Sequence, residues 1–165
     1  MRLERRSGPG GQHRNKVETA VVLKHQATGI EAEANERRSQ GENRKVAVFR
    51  LRLALAVEYR SPRSTSSLPQ PELSVDDEAL ELSECWSSRL AGRQIRISAE
   101  HEDFPMLLAE ALDVIASREF DLASAAKPLK ISSSQLVKLL GKHPPALRMV
   151  NEQRKQRGLH AYKFA

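Results

Sequence analysis

Ser61 to Ser74 (S-P-R-S-T-S-S-L-P-Q-P-E-L-S) holds three prolines and five serines and has no hydrophobic period. Each proline removes a backbone donor and holds its own φ near −65°, so the stretch suits neither a helix interior nor a central strand. Spacers of this composition are extended and semi-stiff. The stretch therefore divides the chain of 165 residues into pieces of about 60 and 90 residues, each obliged to bury a core of its own. The expected organisation is a first domain over 1–60, a linker over 61–75 and a second domain over 76–165.

The two pieces have different hydrophobic periods. Val17, Thr19, Val21 and Leu23 alternate with Glu18, Ala20, Val22 and Lys24, the two-residue period of a half-buried strand. After a turn at Gln26-Ala27-Thr28-Gly29, Ile30, Ala32 and Ala34 alternate with Glu31, Glu33 and Asn35, which predicts an antiparallel hairpin. From Ser39 the period becomes helical. Val46, Phe49, Leu53 and Ala56 share one face of a helix expected over 42–59, and that face can cover the hairpin. R-L-E-R from Arg2 to Arg5 allows a brief strand ahead of these elements.

The second piece reads as helical. A helix is expected over 76–91 (Leu80, Leu82, Trp86, Leu90), with Arg93 to Ala99 either a short strand or an extended connection. A second helix is expected after an Asp103 N-cap, with Pro105 in its first turn and Leu108, Leu112 and Ile115 on one face. Asp121 to Ala126 allows a further turn or two. Ser132-x-x-Gln135 predicts a capping box and a helix ending at Gly141, and Pro144-Pro145 opens a last helix stopped at Gly158. Residues 121–158 have the spacing of a helix-turn-helix, a further RNA contact, or equally of a small helical bundle with a basic surface. Trp86 and Cys85 are expected in the core. The fold class is thus α+β: a small antiparallel sheet with one packed helix, followed by a mainly α-helical C-terminal domain with a helix-turn-helix-like segment.

Charge is distributed unevenly. Residues 1–60 carry 13 Lys/Arg against 7 Asp/Glu, residues 61–126 carry 5 against 13, and residues 127–165 carry 9 against 1. Two basic ends around an acidic middle point to a polyanionic partner. Membrane is disfavoured, because no apolar run approaches the roughly 18 residues a spanning helix needs. The lone Cys85 precludes an internal disulfide framework and fits a reducing, cytoplasmic setting. His13, His25, His101, His143 and His160 have no metal-ligand spacing, so no metal and no cofactor are expected.

Between Arg5 and Asn15 the chain reads R-R-S-G-P-G-G-Q-H-R-N. Gly8, Gly10 and Gly11 lie around Pro9, and Arg5, Arg6, Arg14 and Lys16 flank the run. Glycines free of a Cβ let backbone N–H groups approach a ligand closely, so this is an exposed, protruding working loop. Alone, it is equally a flexible loop or a phosphate cradle. Together with T-G-I at Thr28–Ile30 and R-S-Q-x-x-N from Arg38 to Asn43, it resembles the peptidyl-tRNA hydrolase domain of class I peptide chain release factors, with the same order and spacing through about residue 60.

That resemblance implies that Gly10, Gly11 and Gln12 are the catalytic residues, entering the peptidyl-transferase centre of the ribosome. The implied reaction is hydrolysis of the ester between peptide and tRNA, in translation termination or in rescue of stalled ribosomes. The implied partners are large-subunit rRNA and peptidyl-tRNA, with Arg5, Arg6, Arg14, Lys16, Arg37, Arg38, Arg44 and Lys45 as RNA contacts. His13 is assigned to loop packing or RNA contact, since nothing nearby orients it as a base. Separate codon-reading domains have no counterpart in the sequence, which is closer to codon-independent rescue members. The basic end, however, reads as structured helices where such members often carry a disordered tail, and the family's first strand is nearly missing before Arg6. The alternative from another class is a non-catalytic ribosome- or RNA-binding protein that retains the fold; a hydrolase acting off the ribosome is a third.

Overall fold

The computed structural model describes residues 2–4, 19–59 and 81–163. The chain divides into two units, Met1–Tyr59 and Arg60–Ala165. The expected linker over 61–75 and the start of the helix expected over 76–91 lie outside the described residues, as does the glycine loop.

The first unit contains a three-stranded antiparallel sheet in the order β1-β2-β3, formed by β1 (Arg2–Glu4), β2 (Ala20–Lys24) and β3 (Glu31–Ala34). The pairing Glu4↔Ala20 closes β1 on β2, and Val21↔Ala34 through Lys24↔Glu31 closes β2 on β3. Alternation did set the register, since Val21 is fully buried and Leu23 packs beside it. At the turn, Gly29 has φ +76° and its N–H bonds the His25 carbonyl at 2.8 Å. The Thr28 hydroxyl meets His25 Nδ1 at 2.8 Å, so the side chains of the turn brace it. Helix α1 (Gln40–Glu58) lies over β2 and β3, and Val21, Ala34 and Ala47 form the buried centre with Val46 against it. The expected helix over 42–59 is thus present, but its most buried positions are Asn43, Ala47 and Ala56, while Val46, Phe49 and Leu53 are half-buried. Small residues at the contact let the helix approach the thin sheet closely.

Among the described residues of the second unit the first element is α2 (Glu84–Arg89), which the Ser83 hydroxyl caps by accepting from the Trp86 N–H at 3.0 Å. The helix expected over 76–91 therefore does not reach Leu90. Leu90–Ala91 (β4) pairs with Gln94–Ile95 (β5), and Gly92, at φ +59°, supplies the left-handed residue of a two-residue turn. Then follow α3 (Phe104–Ser117), α4 (Leu122–Ala126), α5 (Ser133–Gly141) and α6 (Pro144–Gln156). Leu108, Leu112 and Ile115 of α3 are fully buried, in a core with Trp86, Leu122, Leu129, Leu136 and Val150. The Trp86 indole N–H donates to the buried Leu129 carbonyl at 3.0 Å, satisfying the one polar atom of that ring.

Capping differs from expectation at two helices. Asp103 stands before α3 but its carboxylate caps nothing; it takes the Arg89 guanidinium at 2.7 Å instead. Ser132 accepts from the Gln135 N–H at 3.3 Å, which is the forward half of the expected capping box. Asp121 caps α4, accepting from Ala123 and Ser124 N–H groups. Beyond α6, Gly158 takes φ +72° and the chain turns back. Arg154, though charged, is buried; it donates to the carbonyls of Phe120 and His160, and Tyr162 lies under its guanidinium at 4.4 Å. Cys85, expected in the core, is only half-buried and forms no disulfide among the described residues.

Candidate functional site

Gly10, Gly11, Gln12, Arg5, Arg6, Arg14 and Lys16 lie outside the described residues, so the structure speaks to the frame that carries them. Residues 5–18 belong to the connection from β1 to β2, and Glu4↔Ala20 is the last rung before it. The Gln26–Gly29 turn lies at the other end of β2. Because β3 runs antiparallel to β2, its last residue, Ala34, faces Val21 at the end from which the connection departs. The bend 35–39 and the N-terminus of α1 follow directly.

One side chain ties these pieces together. Asn43 is fully buried in the first turn of α1. Its Nδ2 donates to the Thr19 carbonyl at 2.7 Å and to the Arg37 carbonyl at 2.9 Å, and its Oδ1 accepts from the Arg37 N–H at 2.8 Å. A buried amide is stable only when partnered, and here three backbone groups from two other segments partner it. The residue just before β2 and the bend that carries Arg37 and Arg38 are thereby fastened to the same helical turn. Sequence reading placed Asn43 within R-S-Q-x-x-N but gave it no role. The signal was present: Asn43 stands four residues before Ala47, an amide on the face of α1 that meets the sheet.

A second fastening uses charge. Arg50 donates to the Glu33 carbonyl at 2.8 Å and grips the Glu36 carboxylate at 2.5 Å. The Glu36 carboxyl is held below its usual value first by the Asn35 N–H and then, against an opposing effect of burial, by its own N–H and by Arg50. Glu36 thus stays ionised and its charge is spent on Arg50.

Arg37, Arg38, Arg44 and Lys45 are all exposed, and none is ion-paired among the described residues. Arg37 and Arg38 precede the Ser39 N-cap, and Arg44 and Lys45 lie in the opening turns of α1. Cations at this end oppose the helix macrodipole, whose positive pole is there. Arg37 and Arg38, just ahead of the first turn, therefore gain nothing from the helix they precede. Among the described residues no three His, Cys, Asp or Glu side chains gather as a metal site. No described helix is long and apolar enough to cross a membrane.

Comparison with known proteins agrees with this frame. The model of the RF-1 domain matches residues 1–88. Peptide chain release factor 1 of Xylella fastidiosa is 41% identical over 71 residues, covering 43% of this chain and 20% of the relative. An uncharacterized mitochondrial peptide chain release factor-like protein of Saccharomyces cerevisiae is 48% identical over 52 residues, 32% of this chain and 34% of the relative. A peptide chain release factor homolog of Escherichia coli is 41% identical over 64 residues, 39% and 30% respectively. The chain thus spans between a fifth and about a third of the length of these relatives. No solved structure matches it.

Proposed function

Because the chain belongs to the RF-1 domain family of class I peptide chain release factors, we propose that it promotes hydrolysis of the peptidyl-tRNA ester within the ribosome, in termination or in rescue of stalled complexes. Residues 1–60 are the hydrolytic module in this reading, and the cytoplasm is its place of action. The observation that carries it is the position of S-G-P-G-G-Q as the β1–β2 connection, leaving the sheet at the end where Asn43 secures Thr19 and the cationic bend.

The chemistry asks little of the side chains. Water attacks the ester carbonyl, negative charge develops on the carbonyl oxygen, and the bond to the ribose oxygen breaks. The water proton ends on that ribose oxygen, leaving a free peptide carboxyl group and a tRNA hydroxyl. A preorganised N–H at the developing oxyanion is worth about 3 kcal/mol in other enzymes. The Gln12 main-chain N–H is that donor, and Gly10 and Gly11 leave the approach uncrowded. The Gln12 amide side chain positions water; having no titrating group, it moves no proton. Proton transfer falls to the terminal ribose of the tRNA and to rRNA. Arg5, Arg6, Arg14, Lys16, Arg37, Arg38, Arg44 and Lys45 contact rRNA phosphates, which position the factor without reading sequence.

The test is peptide release from stalled ribosomes with an empty or a filled mRNA channel. Gln12→Ala is expected to slow release at saturating factor at least tenfold, with ribosome binding retained. Gln12→Ala keeps the main-chain N–H, so Gly11→Ala, whose methyl crowds that donor, is the second variant, and release at the unaltered rate by both overturns the reading. Co-sedimentation with ribosomes but no release by the parent chain on any stalled complex favours a non-catalytic binder.

A further inference from the structure

From Leu122 to Asn151 the chain contains no aspartate or glutamate, yet it carries Lys127, Lys130, Lys138, Lys142 and Arg148. The structure turns that run into a surface. Its apolar residues Leu136, Leu139 and Leu140 face inward from α5. On the other side of α5, Ser134, Lys138 and, just past its end, Lys142 recur every four residues, all exposed or half-exposed to solvent. Lys127 and Lys130 stand exposed in the turn between α4 and α5. Among the described residues no carboxylate pairs with Lys127, Lys130, Lys138 or Arg148, and the Lys142 ammonium donates to the Ile97 carbonyl.

Lys130 adds an observation of a different kind. It has φ +56°, a left-handed backbone that costs a side-chain-bearing residue about 1 kcal/mol and glycine almost nothing. Its side chain is not buried there, so packing does not explain a lysine at a position suited to glycine.

We infer that the turn between α4 and α5, with the exposed stripe of α5, is an RNA-binding surface that grips the phosphodiester backbone independently of the first unit. Cations that no carboxylate pairs release counterions from a polyanion when they bind it. Serines 132 to 134 and Gln135 offer hydrogen bonds of the kind that phosphate oxygens take. A lipid surface fits less well. Membrane-surface segments need bulky apolar side chains facing out, and among the described residues the large exposed hydrophobics, Val48, Tyr59, Met106 and Leu159, all lie outside residues 122–151. The surface stands apart from ester hydrolysis, so it can succeed or fail separately from the proposed activity.

The experiment measures binding of the full chain to a 20-base-pair RNA duplex of mixed sequence by fluorescence anisotropy, in KCl from roughly 0.05 to 0.3 M. Each phosphate-contacting cation contributes about 0.9 to the slope of log affinity against log salt, or roughly eightfold at 0.1 M. The variant Lys130→Gln/Lys138→Gln is therefore expected to lower the slope by nearly 2 and affinity about sixtyfold. Lys127→Gln/Lys142→Gln is the second pair, should the first melt at a lower temperature than the parent. An unchanged slope in well-folded variants of both pairs overturns the inference. So does a DNA duplex of equal length bound more than tenfold tighter, or binding to phosphatidylserine vesicles in place of RNA. Loss of RNA binding with release intact supports the surface, whereas loss of release in Gln12→Ala with RNA binding intact bears only on the hydrolytic reading.

Discussion

Replacing Asn43 by leucine removes the polar fastening of the first unit while keeping the branched skeleton of the side chain. Three hydrogen bonds are lost: those to the Thr19 and Arg37 carbonyls at 2.7 and 2.9 Å, and that from the Arg37 N–H at 2.8 Å. Each is worth about 1 kcal/mol net, and the buried position leaves little room for water to replace the amide. The expected loss is about 3 kcal/mol, a large part of what so small a unit has to lose. With a urea dependence of about 2 kcal/mol/M, the midpoint should fall by about 1.5 M. Amide hydrogen exchange in peptides spanning 19–24 and 35–39 should accelerate roughly a hundredfold under native conditions. Arg44→Gln, exposed and unpaired, is the matched control and should change neither. A shift below about 0.3 M with unchanged exchange would show that the fastening carries no weight.

Two further changes probe single features. Gly29→Ala should cost about 1 kcal/mol in the same urea assay, purely through φ +76°, since nothing lies within 4 Å of the added methyl; a neutral result would mean the turn relaxes. The Asp121 carboxyl is held below its usual value first by the Ser124 hydroxyl and then, against burial, by the Ala123 and Ser124 N–H groups. The folded chain therefore binds this proton less readily than the unfolded one, and the stabilisation is complete above the ordinary carboxylate value and lost as pH falls through the lowered one. Asp121→Ala should cost about 1 kcal/mol at neutral pH, and that difference should vanish in strong acid. A difference that stays constant with pH refutes the assignment.

Much of the first unit was legible because its signals are local. Alternation over Val21, Val22, Leu23 and Lys24 set the hairpin register, and the change to a helical period marked α1 to within two residues. Leu108, Leu112 and Ile115 on α3 and the Ser132 cap of α5 were legible for the same reason. The stretch around Leu90 misled because its leucines also fit a helical period. Only Gly92 in a two-residue turn separates a hairpin from a helix there, and one glycine is a weak signal against several leucines. Asp103 misled differently. A carboxylate before a helix is the usual cap, but Arg89, fourteen residues earlier, competes for it in three dimensions. Asn43 and Arg154 share that lesson. Each answers backbone carbonyls far away in sequence, at Thr19 and Phe120, and no period or spacing encodes such partners.

The rung between Glu4 and Ala20 has a geometric corollary. Gln12 is as many residues from one anchor as from the other, eight on each side. Covalent dimensions then cap its excursion at about 28 Å from that rung, at full stretch of both limbs together. No other residue between the anchors is allowed so long a leash, because every neighbour is tethered more tightly on one side. Lengthening one limb by two residues would hand the apex to the adjoining residue on that limb.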